Sequence, residues 1–361
     1  MIWAASSQTI NPFLIMWQIE TLLTDLINTA SPTGNETAVL QLLTRTFGRL
    51  GLQVQSFPVA PERFNLLAGW ESSPDILLTT HCDTVPPHIP AKISDGRIYG
   101  RGACDAKGAL VAMLHALANL PEYLRWRAGL LVVIGEETDS CGAQTFLEEH
   151  YPARFIINGE PTGNQLVSAQ KGVLIFELSA NGVAVHSGYP AHGKSAISLL
   201  LSQLAKLEAL DWGDSPTAGK ATVNIGKISG GEAANTLAER ATATVCVRLV
   251  DDAATAISLL NAHLLPDVTV EIIAHSDPVE LFVPTGFNHS PVSFGSDAAY
   301  FSQICPTLMV GPGNILDAHT PNESVAISEL YAASEIYQRL IATLAAETPA
   351  IARPKNQSQI L

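Results

Sequence analysis

A chain of 361 residues is longer than one hydrophobic core supports, so two domains are expected, and 47% hydrophobic against 15% charged residues argues against extensive disorder. A net charge of −14, from 34 acids against 20 Lys and Arg, argues against a nucleic-acid partner, because phosphate binding needs a concentrated basic surface. Five cysteines without CxxC spacing exclude a disulfide framework and a thiolate zinc site, and they point to a reducing cytoplasm.

The start, MIWAASSQTINPFLIMWQIETLL, has no Lys or Arg ahead of its apolar part and is broken by Asn11 and Pro12, which makes a poor secretory signal. No uninterrupted apolar run of about 18 residues exists, so no transmembrane helix and no membrane partner are expected. From Trp17 to Leu50 apolar residues recur at helical spacing, interrupted by SPTGNE at 31–36, a turn whose Glu36 suits a helix start. Strands and helices then alternate: FNLLAGW, DILLTT, GLLVVIG and RFIING read as strands, KGALVAMLHALANL and CGAQTFLEEH as helices. This rhythm predicts an α/β fold, a sheet flanked on both faces by helices, with ligands at the carboxyl ends of the strands.

Beyond residue 168 the pattern changes to strand VLIFELSANG, helix KSAISLLLSQLAKLEAL, strands ATVNIGKI and ATATVCVRLV, helix AATAISLLNAHLL and strand VTVEIIAH. The β-α-β-β-α-β order predicts a ferredoxin-like α+β domain, residues 169–276, inserted into a first domain of 1–168 and 277–361. A helix around DAAYFSQI, strand TLMVG and a closing helix from Ser328 to Ala346 complete the first domain, and the polar tail RPKNQSQIL is expected to fray.

Acidic and histidine residues gather where predicted strands end: His81 and Asp83, Asp105, Glu136 and Glu137, Glu160, and further along His319. So many carboxylates cannot share one crevice as bare anions, since like charges a few Å apart resist ionisation; divalent cations resolve the conflict. Imidazole and carboxylate donors suit zinc, cobalt or manganese, and two metals sharing a bridging carboxylate form a hydrolytic arrangement. In an extended His81-Cys82-Asp83 segment the first and third side chains point the same way, so Asp83 can hold the His81 ring from behind. Asp105 lies in GRGACDAKGA, where glycines at 100, 102 and 108 let backbone crowd a ligand, and its lone carboxylate could bridge two ions. Adjacent Glu136 and Glu137 diverge, so one can be a metal ligand and the other a general base. Taken singly, each has a bland reading: a His or Asp at a strand end is more often solvated, and Cys104 and Cys141 are more often small buried hydrophobes than nucleophiles.

The segments HCDTVPP, GRGACDAKGALVAM, IGEETDSCGA, NGEPT, HSGYPAHGKSAI, NIGKISGGEAANTLAERATATVCVRL and CPTLMVGPGNILDAHTPNE, in this order from about residue 18 to 345, resemble the metallo-aminoacylases and carboxypeptidases of the M20 type. The resemblance implies a zinc-exopeptidase-like catalytic domain with an inserted lid and dimerisation domain, and hence a homodimer. It implies two divalent metals, zinc first and cobalt or manganese as alternatives: one held by His81, Asp105 and Glu160, the other by Asp105, Glu137 and His319. It makes Glu136 the general base, Asp83 the support of His81, His186 a lid residue polarising the scissile carbonyl, and Asn235 and Arg248 the grips on substrate. Without the resemblance His186 reads as a turn residue, while Arg248 inside an apolar strand already calls for a partner, because a buried unpaired guanidinium is costly. The expected substrate is a small N-acyl amino acid. Within the family the residues most resemble acetylornithine deacetylase of arginine biosynthesis, with succinyl-diaminopimelate desuccinylase, an amino-group-carrier-protein hydrolase of lysine or ornithine, or a dipeptidase or carboxypeptidase as alternatives.

Overall fold

A strand that is apolar along its whole length needs cover on both faces, and the computed structural model, which describes residues 18–347, supplies it. The apolar start and the polar tail lie outside the described residues. The described chain divides into two compact units. One runs up to Leu166 and includes Phe282–Asn288 and the residues from Tyr300 onward, and the other comprises Val167–Leu281 and His289–Ala299.

In the first unit, strands β1 (Gln53–Ala60), β2 (Arg63–Gly69), β3 (Ile76–His81), β4 (Ala128–Val133) and β5 (Phe155–Asn158) join Thr307–Met309 in a six-stranded sheet. The order is β1, β2, β4, β3, β5, Thr307–Met309; the last four run parallel and the first two pair antiparallel, so the sheet is mixed. Neighbouring residues serve opposite layers: Leu66, Ile76, Leu78, Leu130, Val132 and Ile157 enter one apolar cluster, while Leu67, Leu77, Leu131, Val133 and Ile156 enter another. Helices α1 (Ile19–Asn28), α2 (Thr37–Arg49), α3 (Lys107–Ala118) and the closing helix Ile327–Glu347 supply the first layer. Every residue of α3 except His115 is buried, as befits a helix that is apolar all round. Helix α4 (Cys141–Glu148) covers the other face, where Phe146 meets Phe57 of β1 edge-on with ring centroids 5.4 Å apart.

The sequence reading missed β1. Only Phe57 of this strand is buried, and Pro58 is tolerated because β1 is the sheet's edge.

In the second unit, β6 (Gly172–Asn181), β7 (Thr222–Gly230), β8 (Arg240–Leu249) and β9 (Val268–Ser276) form an antiparallel sheet ordered β7, β8, β6, β9. Helices α5 (Ala196–Glu208) and α6 (Ala253–Ala262) complete a β-α-β-β-α-β succession and bury Leu174, Phe176 and Leu178 of β6 with Ala243, Val245 and Val247 of β8. The side chains of Asp252 and Ser195 cap these helices, accepting from Thr255 N and Ser198 N. Segment 289–299, expected in the first domain, belongs to this unit, tied by Lys171 N donating to Val292 O and Ser296 Oγ to Gln170 Oε1. Among the described residues no helix is long and apolar enough to cross a membrane.

Candidate metal centre and the surrounding acids

Parallel register fixes where the strands of the first unit end: His81 pairs with Val133, and Thr79 with Asn158, so β3, β4 and β5 finish at one edge. His81 closes β3, Glu136 and Glu137 follow β4, and Glu160 follows β5. Asp105 arrives from a different direction, on the loop that leads into α3, and its peptide bond to Ala106 is cis. His319 comes from the long loop after Thr307–Met309 and holds a left-handed φ of 62°, an uncommon conformation for a side-chain-bearing residue.

The side chains of His81, Glu137 and His319 gather at Asp105. Its Oδ1 lies 3.0 Å from His81 Nε2 and its Oδ2 lies 3.2 Å from His319 Nε2, so the carboxylate faces one imidazole with each oxygen. Glu137 Oε2 is 2.9 Å from His319 Nε2. Donor atoms of His81, Asp105 and Glu137 all lie within 4.8 Å of one another. Glu160 is buried beside this edge, accepting from Asn158 Nδ2 at 3.2 Å. The backbone N–H of Glu136 donates to Asp83 Oδ1 at 3.3 Å, which holds the backbone of this glutamate, the neighbour of Glu137, against the His81–Asp83 segment.

Electrostatics show which partners suit the group. Burial pushes the His81 imidazolium down, yet the carboxylates of Asp105, Asp83 and Glu136 hold its pKa well above 6.5. His319, bonded to Asp105 and Glu137, is raised to about 10. Burial raises the Asp105 carboxyl, but the two imidazoles win and hold it well below its ordinary range. The acids thus draw protons onto both histidines. Imidazole nitrogens and carboxylate oxygens converging around an excess of negative charge fit divalent cations, with Asp105 able to serve two of them, one per oxygen.

The tautomer of His81 is set from behind. Its Nδ1 lies 3.0 Å from the backbone carbonyl of Asp83 and 3.5 Å from that residue's carboxylate, so the carbonyl is the nearer acceptor. A carbonyl only accepts, so Nδ1 keeps its proton and Nε2 is the atom available to a cation. The Asp83 carboxylate stands behind the ring as expected, but most of its bonds go elsewhere. It accepts the consecutive amides of Gly135, Glu136 and Glu137 at 2.9, 3.3 and 3.3 Å and the hydroxyl of Thr33 at 2.7 Å.

Other expectations shift as well. Glu36 stands at the start of α2 as expected, but its side chain makes no cap; it is buried, accepts from Gly34 N at 2.8 Å and pairs with Arg63 at 2.6 Å. The rest of the SPTGNE turn docks on the His81–Asp83 segment, Ser31 Oγ donating to Cys82 O at 2.7 Å. Glycines 100, 102 and 108 make room for the protein's own chain: a Cβ on Gly108 would stand 2.4 Å from Ala103 O, and one on Gly100 3.2 Å from Ile89 O. Sequence reasoning gave no role to Lys107, Arg101 or Glu323, all buried here. Lys107 donates to the carbonyls of Leu26 and Thr29 at 2.8 and 3.1 Å, and burial lowers its pKa to about 8.

The remaining candidates lie in the second unit. Exposed His186 accepts the Gly188 N–H on Nδ1 at 3.1 Å, which leaves the proton of a neutral ring on Nε2. An antiparallel bridge joins His186 to Thr236, and Ser187 N donates to Asn235 O at 2.9 Å, so the His186 and Asn235 segments are neighbours. Arg248 sits on the face of the sheet away from α5 and α6, alternating with buried Val247 and Leu249, and is only half-buried. The argument that it is a buried charge in need of a partner therefore does not hold.

A family model described as Peptidase family M20/M25/M40 matches residues 77–343. A Peptidase M20 domain-containing protein of Schizosaccharomyces pombe is 35% identical over 329 residues, covering 88% of this chain and 82% of the relative. A protein of Aspergillus clavatus named Probable carboxypeptidase is 34% identical over 358 residues, covering 88% of this chain and 86% of its own length. The fold is similar to that of a tripeptidase from Staphylococcus aureus, at TM-score 0.76 and 23% identity, covering 92% of this chain and 98% of that one. It is similar also to a dinuclear metal binding peptidase from Bacillus subtilis, at TM-score 0.67 and 15% identity, covering 92% and 98%.

Proposed function

Because the chain belongs to peptidase family M20/M25/M40 and is a hydrolase of that family, we propose that it uses two divalent metals, zinc first, to cleave the amide bond of a dipeptide or N-acyl amino acid with a free carboxylate. The observation that carries this reading is Asp105 facing His81 with one oxygen and His319 with the other. The names of the relatives are peptidases and carboxypeptidases, which favours the carboxypeptidase or dipeptidase alternative over acetylornithine deacetylation.

His81, Asp105 and Glu160 would hold one metal, and Asp105, Glu137 and His319 the other. Bound there, divalent metal supplies Lewis acidity and makes water a nucleophile at neutral pH. Glu136 accepts the proton of the attacking water and returns it to the leaving amine, a role suited to a carboxylate held beside the ligands by its own backbone amide. Asp83 keeps that amide and its neighbours in place. His186, with its Nε2–H directed away from the Gly188 amide, donates to the oxygen that gathers charge as the carbonyl is attacked. Asn235 helps hold substrate, and the planar fork of Arg248 takes its carboxylate. The second unit acts as lid and as the surface through which copies pair.

The test is a release assay on dipeptides, N-acetyl and N-succinyl amino acids and their C-terminal amides, with metal removed and then restored. Metal-dependent turnover of free-carboxylate dipeptides or N-acyl amino acids, with the amides poor, is expected. Activity confined to N-acetylornithine would return the deacetylase reading, and activity indifferent to metal would overturn the whole proposal.

A further inference from the structure

Arg101 and Glu323, 3% and 1% exposed, form an ion pair of 2.6 Å between Nη1 and Oε2. The other carboxylate oxygen, Oε1, accepts the amides of Gly102, Cys104 and Asp105 at 2.9, 3.2 and 3.2 Å. Glu323 therefore holds the backbone of the segment that ends in the central aspartate. It is the same device that Asp83 applies to residues 135–137, one buried carboxylate gathering several amides of a segment that presents acids.

The guanidinium of Arg101 reaches the opposite way. Its nitrogens donate to the carbonyls of His319, Thr320 and Pro87, each at 3.4 Å, long bonds that act together. The backbone carbonyl of Glu323 also accepts Gly100 N at 3.0 Å. One buried pair thus ties the backbone at Asp105 to the backbone at His319, the residues whose side chains meet at 3.2 Å. Between the loops that deliver this carboxylate and this imidazole, 214 positions apart, the Cys104 thiol also reaches Asn314 O at 3.7 Å, a weak bond beside the buried ion pair, and the left-handed φ of His319 needs firm support.

We infer that the Arg101–Glu323 pair is a positioning element that sets the spacing of Asp105 and His319, and through it the affinity of the metal held between them. Partners behind a ligand commonly govern about 10- to 100-fold in metal affinity. The inference rests on the proposed reading of these residues as ligands.

The experiment titrates the metal-free full chain with Co2+ and follows the visible absorption of the bound ion, for wild type, Glu323→Gln and Asp75→Asn. Asp75 is the control because it forms a comparable pair with Arg127, at 2.6 Å, at the end of β3 opposite His81. Wild type is expected to bind two equivalents. Glu323→Gln should weaken the ion shared by Asp105 and His319 about 10- to 100-fold and the ion shared by Asp105 and His81 less, and excess metal should restore much of its turnover. Asp75→Asn should lower Tm and leave both affinities alone. A wild type that binds no Co2+ sinks the ligand reading itself. If wild type binds two equivalents and Glu323→Gln binds both as tightly, or Asp75→Asn loses as much affinity, the positioning inference is wrong. If Glu323→Gln does not fold without metal, Arg101→Lys takes its place under the same criteria; if neither folds, the pair is a folding element and the inference is overturned.

Discussion

Replacing Asp83 by Asn tests how the segment carrying Glu136 and Glu137 is held. Oδ1 accepts the amides of Gly135 and Glu136, while Oδ2 accepts the Glu137 amide and the Thr33 hydroxyl. Asn best places its oxygen at the Oδ1 position and its NH2 at Oδ2. Thr33 can then turn and accept, but the Glu137 N–H faces another donor. Two bonds to a charge become neutral bonds, at about 1 kcal/mol each, and one amide loses its partner, at about 1–3 kcal/mol. Against this, Asn removes a fully buried charge. Burial raises the Asp83 pKa and His81, Thr33 and the amides lower it; the net lowering says the donors outweigh burial. The expected net loss is about 2–4 kcal/mol, read as the urea midpoint of the metal-free protein at unchanged slope. Because displacement of a catalytic group by about 1 Å costs on the order of 100-fold, kcat should fall by about that factor. Thr33→Val removes one donor and leaves all the amides, so it should cost about 1 kcal/mol and spare kcat. A stable Asp83→Asn enzyme with kcat within about 2-fold of wild type would refute the reasoning, since a misplaced base cannot keep its rate.

Glu136→Gln should keep its metal by elemental analysis and lose about 10²- to 10⁴-fold in kcat; a fully active variant places the base elsewhere. Gly108→Ala puts a methyl 2.4 Å from Ala103 O, so the loop must move. It should cost about 1–3 kcal/mol and weaken metal binding. Gly48→Ala, in α2 with nothing within 4 Å, should stabilise by up to about 1 kcal/mol, and equal thermal shifts for the two would undo the steric argument. Burial holds the His115 imidazole below its ordinary 6.5, with Glu20 opposing. The folded pKa is the depressed one, so the unfolded chain takes the proton first and stability falls as pH drops below 6.5 towards the folded value. His115→Gln should lessen the Tm loss between about pH 7 and pH 5, and an unchanged pH slope would show that this histidine does not carry it.

The parallel core was legible because its strands carry unbroken apolar runs such as ILL and LLVV rather than alternation, and every position of β3 and β4 is buried, as a doubly covered sheet requires. The acids were legible as a group for the same reason: His81, Glu136, Glu137 and Glu160 interrupt or follow apolar runs whose ends must share an edge. What escaped was structure carried by backbone. Nothing in the spacing of Glu323 says that it will accept amides from residues 102, 104 and 105, and nothing in SPTGNE says that Thr33 will bond Asp83. Glycine was misread for a related reason, since a bare Cα reports a close approach without saying whether ligand or protein approaches. Arg248 shows the limit of reading burial from neighbours: alternation along β8 puts it on the opposite face from the apolar residues that flank it.

The acids at this edge divide into two kinds, and the division predicts how the protein behaves without metal. Asp83 and Glu323 are satisfied internally, by amides, a hydroxyl and a guanidinium, and they fix the backbone of residues 102–105 and 135–137. Asp105 and Glu137 instead face imidazoles that must be protonated to answer them. Loops held by the first kind do not depend on a cation, whereas the second kind repel one another once the histidines lose their protons. Chelation should therefore abolish activity while leaving far-UV circular dichroism unchanged. Metal should restore activity at once, without a refolding phase, and raise Tm by an amount that grows with its concentration above Kd. The gain should be larger at pH 8 than at pH 6, because the neighbouring acids hold protons on His81 and His319, and displacing those protons with metal costs more the lower the pH. A metal-free chain that is unfolded, as metal-nucleated domains are, would mean that the anchors described here cannot hold the loops alone.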